Sequence, residues 1–216
     1  MSDKESKFLN LSVKQIVLLH VHYLRDENQC IMRCEWSTNN PLMIAYHDNE
    51  WGVPVHDDQL LFEHLSLDSF QAGLSWQTVL NKREHFRQAF DHFNIKKVAE
   101  YNSEKVALLL ENKGIIRNRQ KIEAVINNAN RILEIQSEVG SFDKYIWSFT
   151  GGKAIQNRFT KMSDIPATSS VSDALSKSLR ERGFKFSGTT ICYAFMQAIG
   201  MVNDHITSCF RFNELS

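Results

Sequence analysis

Apolar residues recur at helical spacing along most of this 216-residue chain, whereas the strict alternation typical of strands is scarce. Helix caps and stops separate the apolar stretches. Asp57 and Ser103 precede two of them, and Gly114, Gly183 and Gly200 follow others. Since a mean helix has about 11–12 residues, we predict an all-α fold of roughly six to nine helices.

The predicted helices follow from these caps and from the apolar spacing. One begins at Asp57-Asp58, and another begins at Ser170 or Ser172 and stops at Gly183. The other predicted ranges are 76–90, 103–110, 115–135 and 189–199.

Residues 1–31 differ from the rest of the chain and are predicted to be an appended segment of unknown role. Within it, residues 11–24 fit one partly amphipathic helix. The dense motifs begin at Arg33, so residues 32–216 are predicted to carry the function. Three prolines and nine glycines leave little sequence for further linkers.

The charge balance and the apolar runs exclude several classes of protein. The formal net charge is zero, which argues against a protein that coats nucleic acid without specificity, although a local basic surface can still bind DNA. No apolar run approaches the roughly 18 residues of a membrane span. The N-terminus MSDKESK lacks a cleavable small-residue site, so we expect a cytoplasmic protein with no membrane partner.

Cysteines and histidines indicate a candidate metal site. Cys34 precedes His47 near the front, and His205 lies one helical turn before Cys209 near the end. Two cysteines and two histidines form the tetrahedral set that structural zinc prefers. Spacing alone leaves zinc and chance pairing evenly balanced, because the chain has eight histidines and four cysteines. Cys192 lies in an apolar helix and is interpreted as core.

A basic hairpin is predicted at residues 108–129, where two apolar helices flank Gly114. Four basic residues fall there with no acid among them: Lys113, Arg117, Arg119 and Lys121. The turn resembles a helix-hairpin-helix, which holds the DNA backbone through N–H groups and basic side chains. The alternative is a solvated basic face, but the Gly-Ile-Ile turn favours DNA. A second basic stretch at 177–185 is either another phosphate contact or an exposed helix end, and the exposed end is favoured.

Aromatic residues cluster in loop-like, polar sequence rather than on apolar helical faces. Trp36, Tyr46, Trp51 and Trp76 fall within 41 residues. Such side chains can sandwich a planar base. The alternative is that most of them build a core, as is predicted for Trp147 in the apolar sequence YIWSF.

Seven stretches between Met32 and Cys209 form a recognisable set: RCEW (33–36), AYHDNEWGVP (45–54), QAGLSW (71–76), GIIRNRQKI (114–122), DALSK (173–177), RGFKFSGTTICYAFMQA (182–198) and VNDH (202–205). Through these stretches, the chain from Met32 to Cys209 resembles the 3-methyladenine DNA glycosylase I family of the helix-hairpin-helix superfamily. The resemblance implies an all-α, helix-hairpin-helix glycosylase-like catalytic domain over residues 32–216. A zinc clip would join its N- and C-terminal segments.

The resemblance also implies roles for individual residues. One structural zinc per chain would bind Cys34, His47, His205 and Cys209. The lesion base would stack on Trp76 and contact Tyr46, and the Gly73-Leu74 loop would wedge into the duplex. Trp36 and Trp51 match family aromatics near the base. Contacts with the DNA backbone are expected from the basic hairpin: Gly114, Arg117, Arg119 and Lys121.

Three positions depart from the family pattern. Asp68 stands where the family has a pocket glutamate, and its side chain is one methylene shorter. Phe70 replaces a residue that is usually polar. Met43 occupies a position where a pocket tyrosine often lies.

The expected function is excision of 3-methyladenine from double-stranded DNA in base excision repair. The enzyme would be monofunctional, with water as the nucleophile, because no lysine lies in the pocket motifs. A monomer is expected from the resemblance. The alternative is a catalytically weakened homologue that binds lesions or DNA, since a 1 Å misplacement of the shorter Asp68 can lower the rate on the order of 10²-fold.

Overall fold

The computed structural model describes residues 31–38 and 40–216. The helix predicted at 11–24, and Cys30, lie outside this range. The α-helices of the described residues are α1 (Pro41–Asn49), α2 (Asp58–Gln71), α3 (Trp76–Leu80), α4 (Arg83–Ala89), α5 (Ile95–Ala99), α6 (Ser103–Glu111), α7 (Arg119–Val139), α8 (Phe142–Trp147), α9 (Ser170–Glu181), α10 (Thr189–Ala198) and α11 (Phe210–Glu214). Short 3-10 segments span Glu35–Ser37, Asp91–Phe93, Ser148–Thr150 and Met162–Asp164. None of these described helices has the length and apolar character needed to cross a bilayer.

The prediction of a helical fold is confirmed, but the described residues are not strictly all-α. They also form eleven α-helices, more than the six to nine predicted, because several helices have only five to seven residues. Two short strands, β1 (Ile155–Gln156) and β2 (Val202–Asn203), pair in parallel with Ile155 opposite Val202. Strands of two residues are too short to produce a visible period of two, so the sequence pattern did not reveal them.

Several helix boundaries differ from the sequence prediction. The range 76–90 forms two helices, because the chain turns at Asn81-Lys82 between α3 and α4. The helix predicted from 115 begins at Arg119 instead, where the Asn118 side chain caps it, and extends to Val139. The helix predicted from Ser103 is capped by Asn102. The prediction that Asp57 caps α2 is confirmed, since its carboxylate accepts a hydrogen bond from the backbone N–H of Leu60.

Helix α2 lies at the centre of the described domain. It packs against α7, α8 and α10, and every residue from Leu61 to Phe70 is buried. A helix that is buried on all sides normally carries apolar residues all round. α2 also carries five buried polar side chains, and candidate functional groups are among them. They are Glu63, His64, Ser66, Asp68 and Ser69. Trp147 and Cys192 are buried, as predicted.

Candidate active site

A cavity of about 560 Å³ opens beside α1, α2, α3 and α10. This volume is typical of a small-molecule site. The six residues that were predicted to form the base pocket all line it: Trp36, Met43, Tyr46, Trp51, Asp68 and Trp76. The fold therefore brings together side chains from four separate segments of the chain.

Aromatic rings form much of the cavity wall. The Tyr46 and Trp76 rings lie 5.1 Å apart between centroids and are tilted by 47°. Trp36 and Trp51 meet edge to face at 5.1 Å. Trp36, Tyr46 and Trp51 also pack in a small apolar cluster with Cys34 and Cys209. The same rings therefore build a minor core and line the cavity, and base stacking stays a prediction.

Asp68 presents a carboxyl group that is almost fully removed from water. The residue is 4% exposed, and its Oδ2 atom has no hydrogen-bond partner in the described structure. Burial raises the pKa of the Asp68 carboxyl well above its usual value, while the positive charge of Arg83 lowers it in part. An unpaired buried acceptor is costly, and this one lines the cavity, where a donor on a ligand can reach it. The indole Nε1 of Trp76 is also buried without a partner.

The loop that follows α2 is exposed and lies at the edge of this cavity. Gln71 before it and Ser75 after it line the cavity wall. Gly73 has φ +82°, which favours glycine, and Leu74 is 43% exposed. Gly73 and Leu74 thus lie between two cavity-lining residues, and their role as a wedge stays a prediction.

Cys34, His47, His205 and Cys209 converge in one buried cluster. The Cys209 sulfur lies 3.5 Å from His47 Nε2 and 3.5 Å from His205 Nδ1, and the Cys34 sulfur lies 3.6 Å from His205 Nδ1. Zinc bonds of about 2.3 Å to sulfur and 2.0–2.1 Å to nitrogen give a tetrahedral S···N edge of about 3.6 Å. The spacing of the donor atoms therefore fits a tetrahedral zinc ion.

The ring nitrogens that face away from the cluster are hydrogen-bonded, as is usual for histidines that bind a metal. His47 Nδ1 lies 2.8 Å from Asp48 Oδ1, and Asp48 is in turn paired with Arg33. His205 Nε2 lies 3.1 Å from the carbonyl oxygen of Trp51. Hydrogen bonds lower the pKa of the Cys209 thiol, although burial raises it. The bond with Cys34 has the largest effect, and those with His205 and His47 add to it. A thiolate is the form that binds metal.

The sequence profile of the methyladenine glycosylase family matches residues 36–212, which span the cavity and most of the cluster. The chain belongs to the methyladenine glycosylase family. It is 51% identical over 177 residues to DNA-3-methyladenine glycosylase 1 of Escherichia coli K12, covering 82% of this chain and 95% of that protein. It is 45% identical to the Haemophilus influenzae Rd DNA-3-methyladenine glycosylase, with 82% and 96% covered.

The fold agrees with that of solved family members. The structure that describes 3-methyladenine recognition by 3-methyladenine DNA glycosylase I of Staphylococcus aureus matches with a TM-score of 0.81. The identity is 35%, and the match covers 84% of this chain and 97% of that one.

The basic hairpin at residues 108–129 follows the sequence prediction only in part. Arg117 and Arg119 are exposed, as expected. Lys121 differs, because its ammonium is buried on the carbonyl oxygens of Phe70 and Ala72. Gly114 serves packing rather than a left-handed turn, since an added Cβ would lie 2.9 Å from the His85 ring.

The second basic stretch lies in a closely packed hairpin formed by α9 and α10. Gly188 precedes α10, so no N-cap side chain covers the first N–H groups of this helix. An added Cβ at Gly188 would lie 3.3 Å from Arg180 Nη2, which places the guanidinium beside the helix start. Arg182 is instead paired with Glu138, and Lys177 with Glu181. The position of Arg180 beside this helix start is compatible with the phosphate contact that was the less favoured alternative for 177–185.

Sequence reasoning also missed an ion network behind the cavity. Arg83 is buried, and it lies 2.6 Å from both Glu63 and Glu50 through separate nitrogens. Arg87 adds a second cation 2.9 Å from Glu63. The available signal was an acid at the centre of the apolar α2 sequence, which implies a buried partner.

A second missed group lies on α10. Tyr193 and Gln197 line the cavity, and both donate hydrogen bonds of 2.8 Å to the buried Oδ2 of Asp204. Their helical spacing indicated core packing, and only the resemblance of the stretch 182–198 pointed to a further role. Asp204 thereby connects the cavity wall to the neighbouring His205 of the buried cluster.

Proposed function

We propose that the chain is a monofunctional DNA-3-methyladenine glycosylase that hydrolyses the N-glycosidic bond of a base flipped out of DNA. The observation that carries the proposal is the unpartnered, buried carboxyl of Asp68 in an aromatic cavity. The names of the curated relatives, and the study of 3-methyladenine recognition by the S. aureus enzyme, support the same substrate. Release of free 3-methyladenine from methylated duplex DNA tests it. Absence of release by a folded chain would contradict it.

The positive charge of the lesion base explains why an aromatic cavity with one carboxylate is sufficient for its release. 3-Methyladenine is cationic while it is attached to the sugar, so the base departs without full protonation. Flipping it out requires a few kcal/mol of unstacking, and stacking on Trp76 returns roughly 1–3 kcal/mol. Asp68 accepts hydrogen bonds from the base and stabilises its positive charge in surroundings of low dielectric constant. A cationic base also favours the ionised carboxylate, because an opposite charge lowers the pKa that burial has raised.

Water is the proposed nucleophile. A covalent Schiff base needs an amine within reach of the sugar carbon. Within the described part of the chain, no lysine lines the cavity. The reaction therefore consumes one water, breaks the bond between base and sugar, and yields the neutral free base, an abasic site and one proton.

The alternative of a weakened, lesion-binding homologue gains little support. Phe70, one of the departures that motivated it, packs in the core 4.6 Å from the Phe86 ring and does not line the cavity. Met43 does line the cavity, and its flexible thioether can adapt to a planar ligand. The shorter reach of Asp68 remains the feature on which the two functions differ, and its substitution tests both.

We further propose that the Cys34, His47, His205 and Cys209 cluster binds one structural zinc ion. The spacing of the donor atoms and the bonded outer ring nitrogens support this. Four protein ligands leave no open position for water, so the ion would hold the fold and take no part in hydrolysis. His47 follows Tyr46 directly, so the same ion would steady the aromatic wall.

Double-stranded DNA is the proposed partner, and the protein would act on it as a monomer in the cell interior. The α9–α10 hairpin, together with Arg117 and Arg119, would contact the phosphate backbone. Uncapped N–H groups and a guanidinium at one helix start form a suitable phosphate site. This assignment adds α10 to the surface that the sequence prediction had placed at residues 108–129.

Substituting Arg180 with Met tests the hairpin contact. We expect weaker DNA binding and a slope of log affinity against log salt that is smaller by about 0.9, the value for one lost phosphate contact. The measurement is DNA affinity at several salt concentrations. Lys153, exposed in the turn before β1, provides a matched Lys153→Met control with an unchanged slope. An unchanged slope in Arg180→Met would remove α10 from the interface.

Substituting Trp76 with Ala tests the stacking role. We expect base release to fall roughly 10–100-fold, because stacking contributes about 1–3 kcal/mol. Trp76→Phe retains an aromatic face and should keep most of the activity. Equal losses in both variants would show that the indole shape or its Nε1 atom, rather than stacking, is what matters.

A further inference from the structure

Lys121 differs from the other basic residues of the 108–129 hairpin because its side chain is buried. It is 7% exposed, whereas Arg117 and Arg119 are exposed. Its ammonium donates hydrogen bonds to the carbonyl oxygens of Phe70, at 2.9 Å, and Ala72, at 2.6 Å. Both partners are neutral backbone groups, so this cation is used for a purpose other than ion pairing.

The two carbonyls belong to the C-terminal end of α2. The last carbonyls of a helix have no partner within the helix and carry partial negative charge, which a cation stabilises. Between them, the Gln71 carbonyl accepts a hydrogen bond from the Leu74 N–H at 2.6 Å. Three consecutive carbonyls are therefore satisfied, two of them by one side chain from α7.

These bonds fix the turn on which the cavity loop depends. The loop 72–75 is exposed, with Gly73 at φ +82°. Asp68 lies on the last turns of α2, immediately before the bonded carbonyls, and Gln71 lines the cavity. If the ammonium were lost, two carbonyls would lack their donor at the point where the helix gives way to the loop.

We propose that Lys121 is a positioning residue, whose buried ammonium fixes the end of α2 and the 72–75 turn so that Leu74 can enter the duplex while Asp68 faces the flipped base. The proposal rests on the glycosylase function proposed above. It replaces the phosphate contact predicted from sequence, which would require the ammonium to leave both carbonyls and move into solvent.

The test is Lys121→Met, which keeps the aliphatic stem and removes the donors. We expect single-turnover base release to fall roughly 10–100-fold, the scale of a small misplacement at a reacting centre. Amide hydrogen exchange at Leu74 should accelerate, because its N–H no longer lies in a fixed turn. The salt slope of DNA binding should match that of the native chain. Arg119→Met should show the opposite pattern, with a slope smaller by about 0.9 and native exchange at Leu74.

The outcomes separate this role from the alternatives. Lys121→Arg keeps a positive donor, so it should recover most of the lost rate and slow Leu74 exchange, and it serves if the Met variant does not fold. A smaller salt slope with unchanged Leu74 exchange in Lys121→Met would identify a phosphate ligand and overturn the proposal. A native rate with native exchange would overturn it as well. No release by the native chain would contradict the proposed function instead, whereas Leu74 exchange tests the turn without catalysis.

Discussion

Substituting Asp68 with Asn should lower the release of 3-methyladenine on the order of 10²-fold or more, the scale observed when one preorganised polar group is removed from an active site. The amide keeps the size of the side chain but cannot supply a negative charge to the cationic base. The measurement is the single-turnover rate on methylated duplex DNA. A native rate in Asp68→Asn would show that the carboxylate is dispensable.

The same substitution should raise the stability of the protein. The pKa of Asp68 is higher in the folded than in the unfolded chain, so the folded chain holds the proton more tightly. Stability from this group is fully present below the unfolded-state pKa and is lost as the pH rises toward the folded-state pKa. At neutral pH the native protein has lost part of this stability. Asn has no proton to lose, so Asp68→Asn should raise the melting temperature.

The pH dependence of catalysis provides an independent check. Base release by the native chain should fall as the pH is lowered through the pKa of Asp68 in the lesion complex, because the acid form cannot stabilise the cation. Asp68→Asn should lack this acidic limb. Asp68→Glu is the matched control, since it keeps the charge and restores the family residue. If the Glu variant were highly active and the native chain inactive, the weakened-homologue alternative would be right.

Removing the proposed zinc ion should lower the stability of the protein more than any of the substitutions described above. Elemental analysis is expected to find about one zinc per chain, and Cys209→Ala should abolish its binding, because a structural site requires all four ligands. The free energy of unfolding should fall by about 2–5 kcal/mol, as for other crosslinks that close long loops. For a domain of this size, the melting temperature should fall by on the order of 10 °C.

Cys192→Ala is the matched control for this experiment. Cys192 is equally buried but lies on α10 outside the cluster. We expect the Cys192 variant to retain its zinc and to lose only packing energy. Full stability of the native chain after chelation would contradict a structural role for the metal.

The parts of the site that the sequence predicted are those carried by compact motifs. Tyr46 and His47 are adjacent in one motif, and Trp76 ends another, so the resemblance could place each residue without knowledge of the fold. Their convergence in one cavity follows from the packing of α3 against both α1 and α2. The existence of the helices could be predicted from the spacing of apolar residues along the sequence. Exact ends were not, because side-chain caps such as Asn102 and Asn118 determined them.

The parts that the sequence did not predict depend on pairing between distant residues. Arg83 and Glu63 lie twenty positions apart on different helices, and neither residue reveals its partner. Lys121 shares a basic sequence with Arg119, yet one side chain is buried and the other is exposed. The sequence shows how many basic residues lie near a turn. The direction of each side chain is decided by the element that packs beside it.

The cluster that joins Cys209 to His47 links residues 162 positions apart. During synthesis, the aromatic wall beside His47 emerges from the ribosome long before its partners do. Contacts of such long sequence separation form late, because the entropy of closing the intervening chain must be overcome first. A partly synthesised or C-terminally truncated chain therefore lacks a finished base cavity. Competence to bind a damaged base is acquired only when the segment that carries His205 and Cys209 has joined the rest of the site.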